Sequence, residues 1–248
     1  MRVLLRVEYF GGDYCGWQRQ KNGLSVQEAL AKAVLETTGQ ASVMHGSGRT
    51  DAGVHAMAQS VHFDTNTNIP LDKLPIAINA HLPSSIRVLS AVRVPDGFNA
   101  RFDAVSKTYV YKMFCAPVTS PLRDGLYAFV PKKPDVERMR AAAKSILGEH
   151  DFKCFQAAGG HVKTTVRTIY SLEIRENGDE IEFEVTGNGF LYNMVRIIVG
   201  TLYYVGIGKL EVSDVADIIA SGDRTRAGKT MPPEGLYLKQ VVYPFERG

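Results

Sequence analysis

The chain has 248 residues, of which 45% are hydrophobic and 22% charged. That balance excludes a disordered chain, a collagen-like fibre and a disulfide-stapled miniprotein, and a chain of this length buries about three quarters of its unfolded surface. The net charge is only +3, and residues 1–124 carry 13 basic against 10 acidic side chains while residues 125–248 carry 16 of each, which excludes a histone-like polycation and places the whole basic excess in the first half.

Residues 2–9 predict a strand ending at Gly11-Gly12. Residues 25–38 predict a helix, with Ser25 as N-cap, Glu28 three residues on and Gly39 closing the end. Its Val26, Ala29, Leu30, Ala33 and Val34 recur at helical spacing, so one face is core. A Gly-rich segment over 46–53 leads into a strand at 58–63. A short helix is expected after Pro70, and a strand over 86–94. In the second half, 108–115 alternates as a strand and a helix follows Pro134, running to Leu147. Two strands, 166–175 and 180–186, turn at Asn177-Gly178, a strong hairpin dipeptide. A long apolar helix over 190–205 and a closing strand over 236–242 complete the pattern. Helices set between hairpins predict an α+β fold with antiparallel sheets, divided near residue 105 into an N-terminal half, 1–104, and a C-terminal half, 105–248.

Cys15, Cys115 and Cys154 are odd in number and widely spaced, so neither a zinc knuckle nor a disulfide framework follows, and a reducing cytoplasm is expected. The first six residues place Arg2 and Arg6 where a signal peptide would need an apolar run. The apolar stretch 190–205 is interrupted by Asn193, Arg196 and Gly200 and is shorter than the roughly 20 residues that cross a bilayer.

The segment His45-Gly46-Ser47-Gly48-Arg49-Thr50-Asp51-Ala52-Gly53-Val54-His55 concentrates the chemistry. Its glycines let the backbone turn sharply and approach a ligand. Asp51 is a candidate nucleophile or general base, which a nearby guanidinium would keep ionised; the bland reading is a surface turn with an Arg–Asp pair. The order of residues matches neither a dinucleotide fingerprint nor a P-loop. His45, Asp51, His55 and His62 lack the convergence a metal site needs, so no metal is expected. Around 8–21, Tyr9, Phe10 and Trp17 mix with Arg19 and Lys21. Such a mixture suits unstacked nucleotides, and equally suits rings packed where a strand meets a turn. The same interleaving recurs at Phe98-Asn99-Ala100-Arg101-Phe102 and at Lys107-Thr108-Tyr109-Val110-Tyr111-Lys112. Period two puts Tyr109 and Tyr111 on one face. Arg196, flanked by apolar residues, either pairs with a carboxylate or phosphate or packs its stem and sends its head to solvent.

Taken together, these segments resemble the bacterial tRNA pseudouridine synthase A family. The resemblance rests on Gly48-Arg49-Thr50-Asp51-Ala52-Gly53-Val54-His55, Gly16-Trp17-Gln18-Arg19-Gln20, Asn99-Ala100-Arg101-Phe102, Lys107-Thr108-Tyr109-Val110-Tyr111, Met194-Val195-Arg196-Ile197-Ile198-Val199-Gly200 and Glu234-Gly235-Leu236-Tyr237-Leu238, in order along the chain. It implies two similar ferredoxin-like (RRM-like) α+β halves whose sheets meet around a central active-site cleft. It also implies conversion of uridine to pseudouridine at positions 38, 39 and 40 of the tRNA anticodon stem-loop, by a cytoplasmic homodimer using no cofactor and no metal. On this resemblance Asp51 is the catalytic aspartate and Arg196 its supporting cation. Arg49 grips the flipped nucleotide, Tyr109 stacks on the uracil, Leu236 forms an apolar wall, and Arg19 and Arg101 touch the RNA backbone. No role follows for Tyr192 or Asn193. Two other readings stay open: a non-catalytic tRNA-binding protein of the same fold, and an N-glycoside hydrolase, for which no second acidic residue lies inside the 46–53 turn.

Overall fold

The computed structural model describes residues 1–21, 23–160 and 162–246. In chain order the strands are β1 (Arg2–Tyr9), β2 (His45–Gly46), β3 (His55–Asp64), β4 (Ile86–Val94), β5 (Ser106–Cys115), β6 (Ala128–Val130), β7 (Gly148–Asp151), β8 (Val166–Asn177), β9 (Glu180–Gly187) and β10 (Leu236–Val242). The helices are α1 (Val26–Thr38), α2 (Leu74–Asn79), α3 (Val136–Ala143), α4 (Met194–Gly206) and α5 (Asp214–Ser221). The architecture is α+β and mostly antiparallel. It falls into two compact units, Met1–Val105 with Tyr237–Gly248, and Ser106–Leu236. The composition predicts a second half running to the C terminus; the structure instead returns the closing segment to the first unit.

In the first unit β1 lies between β3 and β4, antiparallel to both. β2 adds to β3, and β10 runs parallel to β3 with Tyr237 opposite His55 and Leu238 opposite Ala56. Val3, Leu5, Val7 and Tyr9 are buried at alternate positions of β1, the period-two signature of a core face. α1 starts where its caps direct: the Ser25 hydroxyl accepts from the Glu28 amide at 3.2 Å, and Gly39 ends the helix at φ 68°. α2 is tied to β4 through Asn79, whose side chain bonds both the amide and the carbonyl of Val88.

In the second unit β9 pairs antiparallel with β5 and with β8, and β7 closes the far side of β8. β6 pairs parallel with β5. The β8–β9 hairpin turns at Gly178 with φ 61°. The helix expected to reach Leu147 is α-helical only to Ala143 and tightens to a 3-10 turn over Lys144–Ile146. The helix expected from residue 190 begins at Met194, because Asn193 sits in the left-handed region at φ 59° and cannot belong to a right-handed helix. α4 is buried on nearly every face, as a helix without a polar stripe must be. Segment 228–231 crosses it at backbone contact. A Cβ on Gly200 would stand 1.9 Å from the Lys229 carbonyl oxygen, and one on Gly228 would stand 2.4 Å from the Gly200 carbonyl carbon. The Gly228 amide donates to the Thr201 hydroxyl at 2.8 Å.

Candidate active site

The 46–55 segment is a braced turn. The Trp17 amide donates to the Thr50 carbonyl at 3.0 Å, and the hydroxyls of Tyr9 and Thr50 share a hydrogen bond of 2.8 Å. Two glycines admit this approach: a Cβ on Gly11 would meet the Val54 carbonyl oxygen at 2.0 Å, and one on Gly16 the Thr50 carbonyl oxygen at 2.6 Å. Beneath the turn the buried Gln59 works with both ends of its amide. Its Oε1 accepts from the Ser47 hydroxyl at 2.5 Å, and its Nε2 donates to the Gly48 carbonyl at 2.9 Å. The Ser47 amide donates to Ser60 at 2.8 Å, and Ser60 accepts in turn from the Arg6 guanidinium. Thus Asp51 stands half-buried on a backbone held from three sides, with Arg49 exposed two residues before it.

The rings near this turn are core. Trp17 is 3% exposed, and Gly46 lies so close that a Cβ there would touch the indole at 2.7 Å. Tyr9 is buried beside it. Of the two readings for this aromatic cluster, packing holds for Tyr9 and Trp17. Arg19 is exposed and lies 3.5 Å from Glu28 on α1. Arg101 is also exposed, its guanidinium 5.5 Å from the Phe102 ring. Asn99 shapes their turn by accepting from the amides of both. Phe102 is 76% exposed, an apolar ring presented to solvent from a turn that does not need it for packing.

His55 and His62 have structural occupations. His55 Nδ1 accepts from the Gly11 amide at 2.9 Å while its ring stacks on Tyr237 at 4.6 Å. His62 Nδ1 accepts from the Ala100 amide at 3.1 Å, and its ring stacks on His45 at 4.7 Å. Among the described residues no group of three His, Cys, Asp or Glu side chains converges as metal ligands. Burial, then the neighbouring His45 and Arg2, push the His62 pKa down to about 4 from 6.5. The unfolded chain therefore takes up a proton that the folded chain refuses as pH falls from about 6.5 to about 4, so stability is lost in that window. With solvent screening discounted, the loss at pH 5 is about 1 kcal/mol. Urea midpoints at pH 7 and pH 5 should show a drop in the wild type that shrinks in His62→Asn, whose Oδ1 can still accept from Ala100; equal drops would contradict the assignment.

In the second unit Tyr109 faces Val185 across the β5–β9 ladder and meets Phe190 edge-on at 5.0 Å. It retains 9% exposure. Tyr111, two residues on, is wholly core: its hydroxyl donates to the Pro232 carbonyl at 2.8 Å, and burial raises its pKa well above 10. Leu236 is buried at the first position of β10. Arg196 is half-buried, with Nε donating to the Met231 carbonyl at 2.6 Å and Nη1 to Asn193 Oδ1 at 2.8 Å.

Two residues that brace these segments carry little mark in the sequence. Gln59 reads as one polar residue of a strand, and Asn193 as one of the polar interruptions of the 190–205 apolar stretch; the left-handed tolerance of asparagine is the signal that singles out the second. Cys115 and Cys154 are poor thiolate sources, since burial pushes both up to about 11 and keeps them protonated at neutral pH. The turn itself offers the chemistry of a carboxylate on a preset backbone, with an exposed guanidinium, Arg49, two residues before it.

Comparison with known proteins identifies the family. A family model described as tRNA pseudouridine synthase matches residues 6–103 and 142–244, segments that contain Arg19, Arg49, Asp51, Arg101, Arg196 and Leu236 and leave Tyr109 between them. The tRNA pseudouridine synthase A of Thermoanaerobacter sp. (strain X514) is 47% identical over 241 residues, 97% of this chain and 99% of the relative. That of Ruminiclostridium cellulolyticum is 47% identical over 243 residues, 98% of this chain and 99% of the relative. Among solved structures, one described as a Cbf5-Nop10-Gar1 complex aligns at 14% identity and a TM-score of 0.41, covering 95% of this chain and 48% of that one, so the chain spans about half its length. The chain is an isomerase of the pseudouridine synthase class: it belongs to the tRNA pseudouridine synthase family, in the branch of tRNA pseudouridine synthase A. Among the described residues no helix is long and apolar enough to cross a membrane.

Proposed function

We propose that the protein isomerises uridine to pseudouridine at positions 38, 39 and 40 of the tRNA anticodon stem-loop, with Asp51 starting the reaction. One observation carries this reading: in a chain of this family, the aspartate of the Gly-Arg-Thr-Asp turn is held half-buried on a backbone fixed by Trp17, Tyr9 and Gln59. Preorganisation of that kind suits a group that must act at one reacting atom.

The reaction breaks the N1–C1′ bond, turns the base and joins C5 to C1′. N1 gains a proton and C5 loses one, so the atoms balance without an oxidant or an energy source. Asp51 acts as nucleophile or as base. Arg196 supplies the positive charge that keeps Asp51 ionised. Arg49 takes a phosphate of the flipped nucleotide, whose extrusion costs a few kcal/mol. Tyr109 stacks on the uracil and Leu236 bounds the pocket with apolar surface. Arg19 and Arg101 contact the RNA backbone. The protein works in the cytoplasm as a homodimer, with neither metal nor cofactor.

The test uses tRNA tritiated at uridine C5, with the modified positions mapped afterwards. The expected result is tritium release together with pseudouridine at positions 38, 39 and 40. Tritium retained throughout, pseudouridine confined to other positions, or free uracil with an abasic site would each overturn the proposal.

A further inference from the structure

Asn193 combines three features that have no common purpose in a helix start alone. It is the one described non-glycine residue with positive φ. It precedes α4, where an asparagine ordinarily accepts from a backbone amide of the first turn, yet its side chain makes no capping bond. Its Oδ1 accepts from Arg196 Nη1 at 2.8 Å. On the other side of the same guanidinium, Nε donates to Met231 O at 2.6 Å, and the Met231 amide donates back to Arg196 O at 3.3 Å.

We propose that Asn193 is a positioning residue whose side-chain amide fixes the guanidinium of Arg196 for pseudouridine formation, an inference that rests on the role given to Arg196 above. A guanidinium is planar, so two anchored N–H directions set its plane and with it the direction of the Nη2 edge. The left-handed backbone makes this possible. It stops the helix at Met194 and turns the amide toward Arg196, three residues ahead, instead of toward the helix backbone. Met231 is held as the second anchor because segment 228–231 crosses α4 at Gly200 and Gly228, too close for a side chain on either. A lysine at 196 would keep the charge and lose the plane.

The deciding variant is Asn193→Gly, since glycine takes the same φ without strain and only the amide is lost. Misplacing a reacting group costs up to about a hundredfold in rate, so kcat on tRNA should fall about tenfold or more, with KM within about twofold and the melting temperature preserved. In an Arg196→Lys background the same substitution should cost nothing further, because the fork it orients is gone. Independently of activity, rotation of the Arg196 guanidinium about its Nε–Cζ bond, followed by nitrogen-15 exchange NMR, should be slow in the wild type and faster in Asn193→Gly. Unchanged rotation overturns the proposal even if the wild type proves inactive on tRNA, a result that would strike the functional reading instead. A kcat within twofold of wild type, or additive losses in the double variant, overturns it as well.

Discussion

Asp51→Asn should lower tritium release from C5-labelled tRNA by about 10³-fold or more while leaving tRNA affinity within a few-fold, because an amide of the same shape can neither attack carbon nor accept a proton. The substitution spares the features that shape the turn. The Val54 amide still donates to the backbone carbonyl of residue 51, and the Trp17, Tyr9 and Gln59 contacts fall on residues 47, 48 and 50. The fold should therefore survive the substitution, with a loss inside the usual range of about 0.5–3 kcal/mol for a point change, which a urea midpoint reads. Single-turnover kinetics separates the two outcomes: a chemical step slowed without loss of binding supports Asp51 as the initiating group. Release within a few-fold of wild type in both Asp51→Asn and Asp51→Ala would remove it from the mechanism.

The largest stability effect is expected from Gly200→Ala. On an isolated helix this change would help, by about 1 kcal/mol. Here the new methyl would stand 1.9 Å from the Lys229 carbonyl oxygen, and that neighbour is backbone, not a side chain able to rotate away. Overpacking of this kind costs about 1–3 kcal/mol and at times more, so the helix gain is outweighed. Segment 228–231 must lift, which also strains the Gly228–Thr201 and Arg196–Met231 hydrogen bonds. A net loss of about 2 kcal/mol corresponds to a melting temperature lower by roughly 4–8 °C for a chain of this size. Gly97→Ala is the control, since a Cβ there meets nothing within 4 Å. A midpoint for Gly200→Ala equal to or above wild type would show that the strap accommodates the methyl freely.

Much of this molecule is written in local signals, and the exceptions have physical reasons. α1 is legible because Ser25 and Gly39 mark its ends with side-chain and backbone chemistry of their own, and the β8–β9 hairpin because Asn177-Gly178 suits a tight turn. The start of α4 is not, since Phe190 and Leu191 extend its apolar pattern backwards and only the backbone angle of Asn193 interrupts it. β2, β6 and β7 span two to four residues, too few for a period to show. α5 occupies eight residues and drew no helical expectation, although Gly222 closes it in the left-handed region as Gly39 closes α1. The aspartate turn stood out through its glycines and charges. Its brace did not, because a buried glutamine on β3 and a tryptophan over a glycine acquire meaning only when distant segments meet.

The closing segment has a consequence for the order in which the molecule can assemble. Tyr237 stacks on His55, and the Tyr243 hydroxyl donates to the Ala100 carbonyl at 2.7 Å. Yet Met1–Val105 leaves the ribosome before Ser106–Leu236, and Tyr237–Gly248 after it. The second unit is continuous in sequence and can close as soon as it emerges. The first is completed by contacts of great sequence separation, which form slowly and late. The unit bearing Asp51 therefore acquires its last strand only after the whole of Ser106–Leu236 has been made, and until then the nascent chain carries the turn without the full framework behind it.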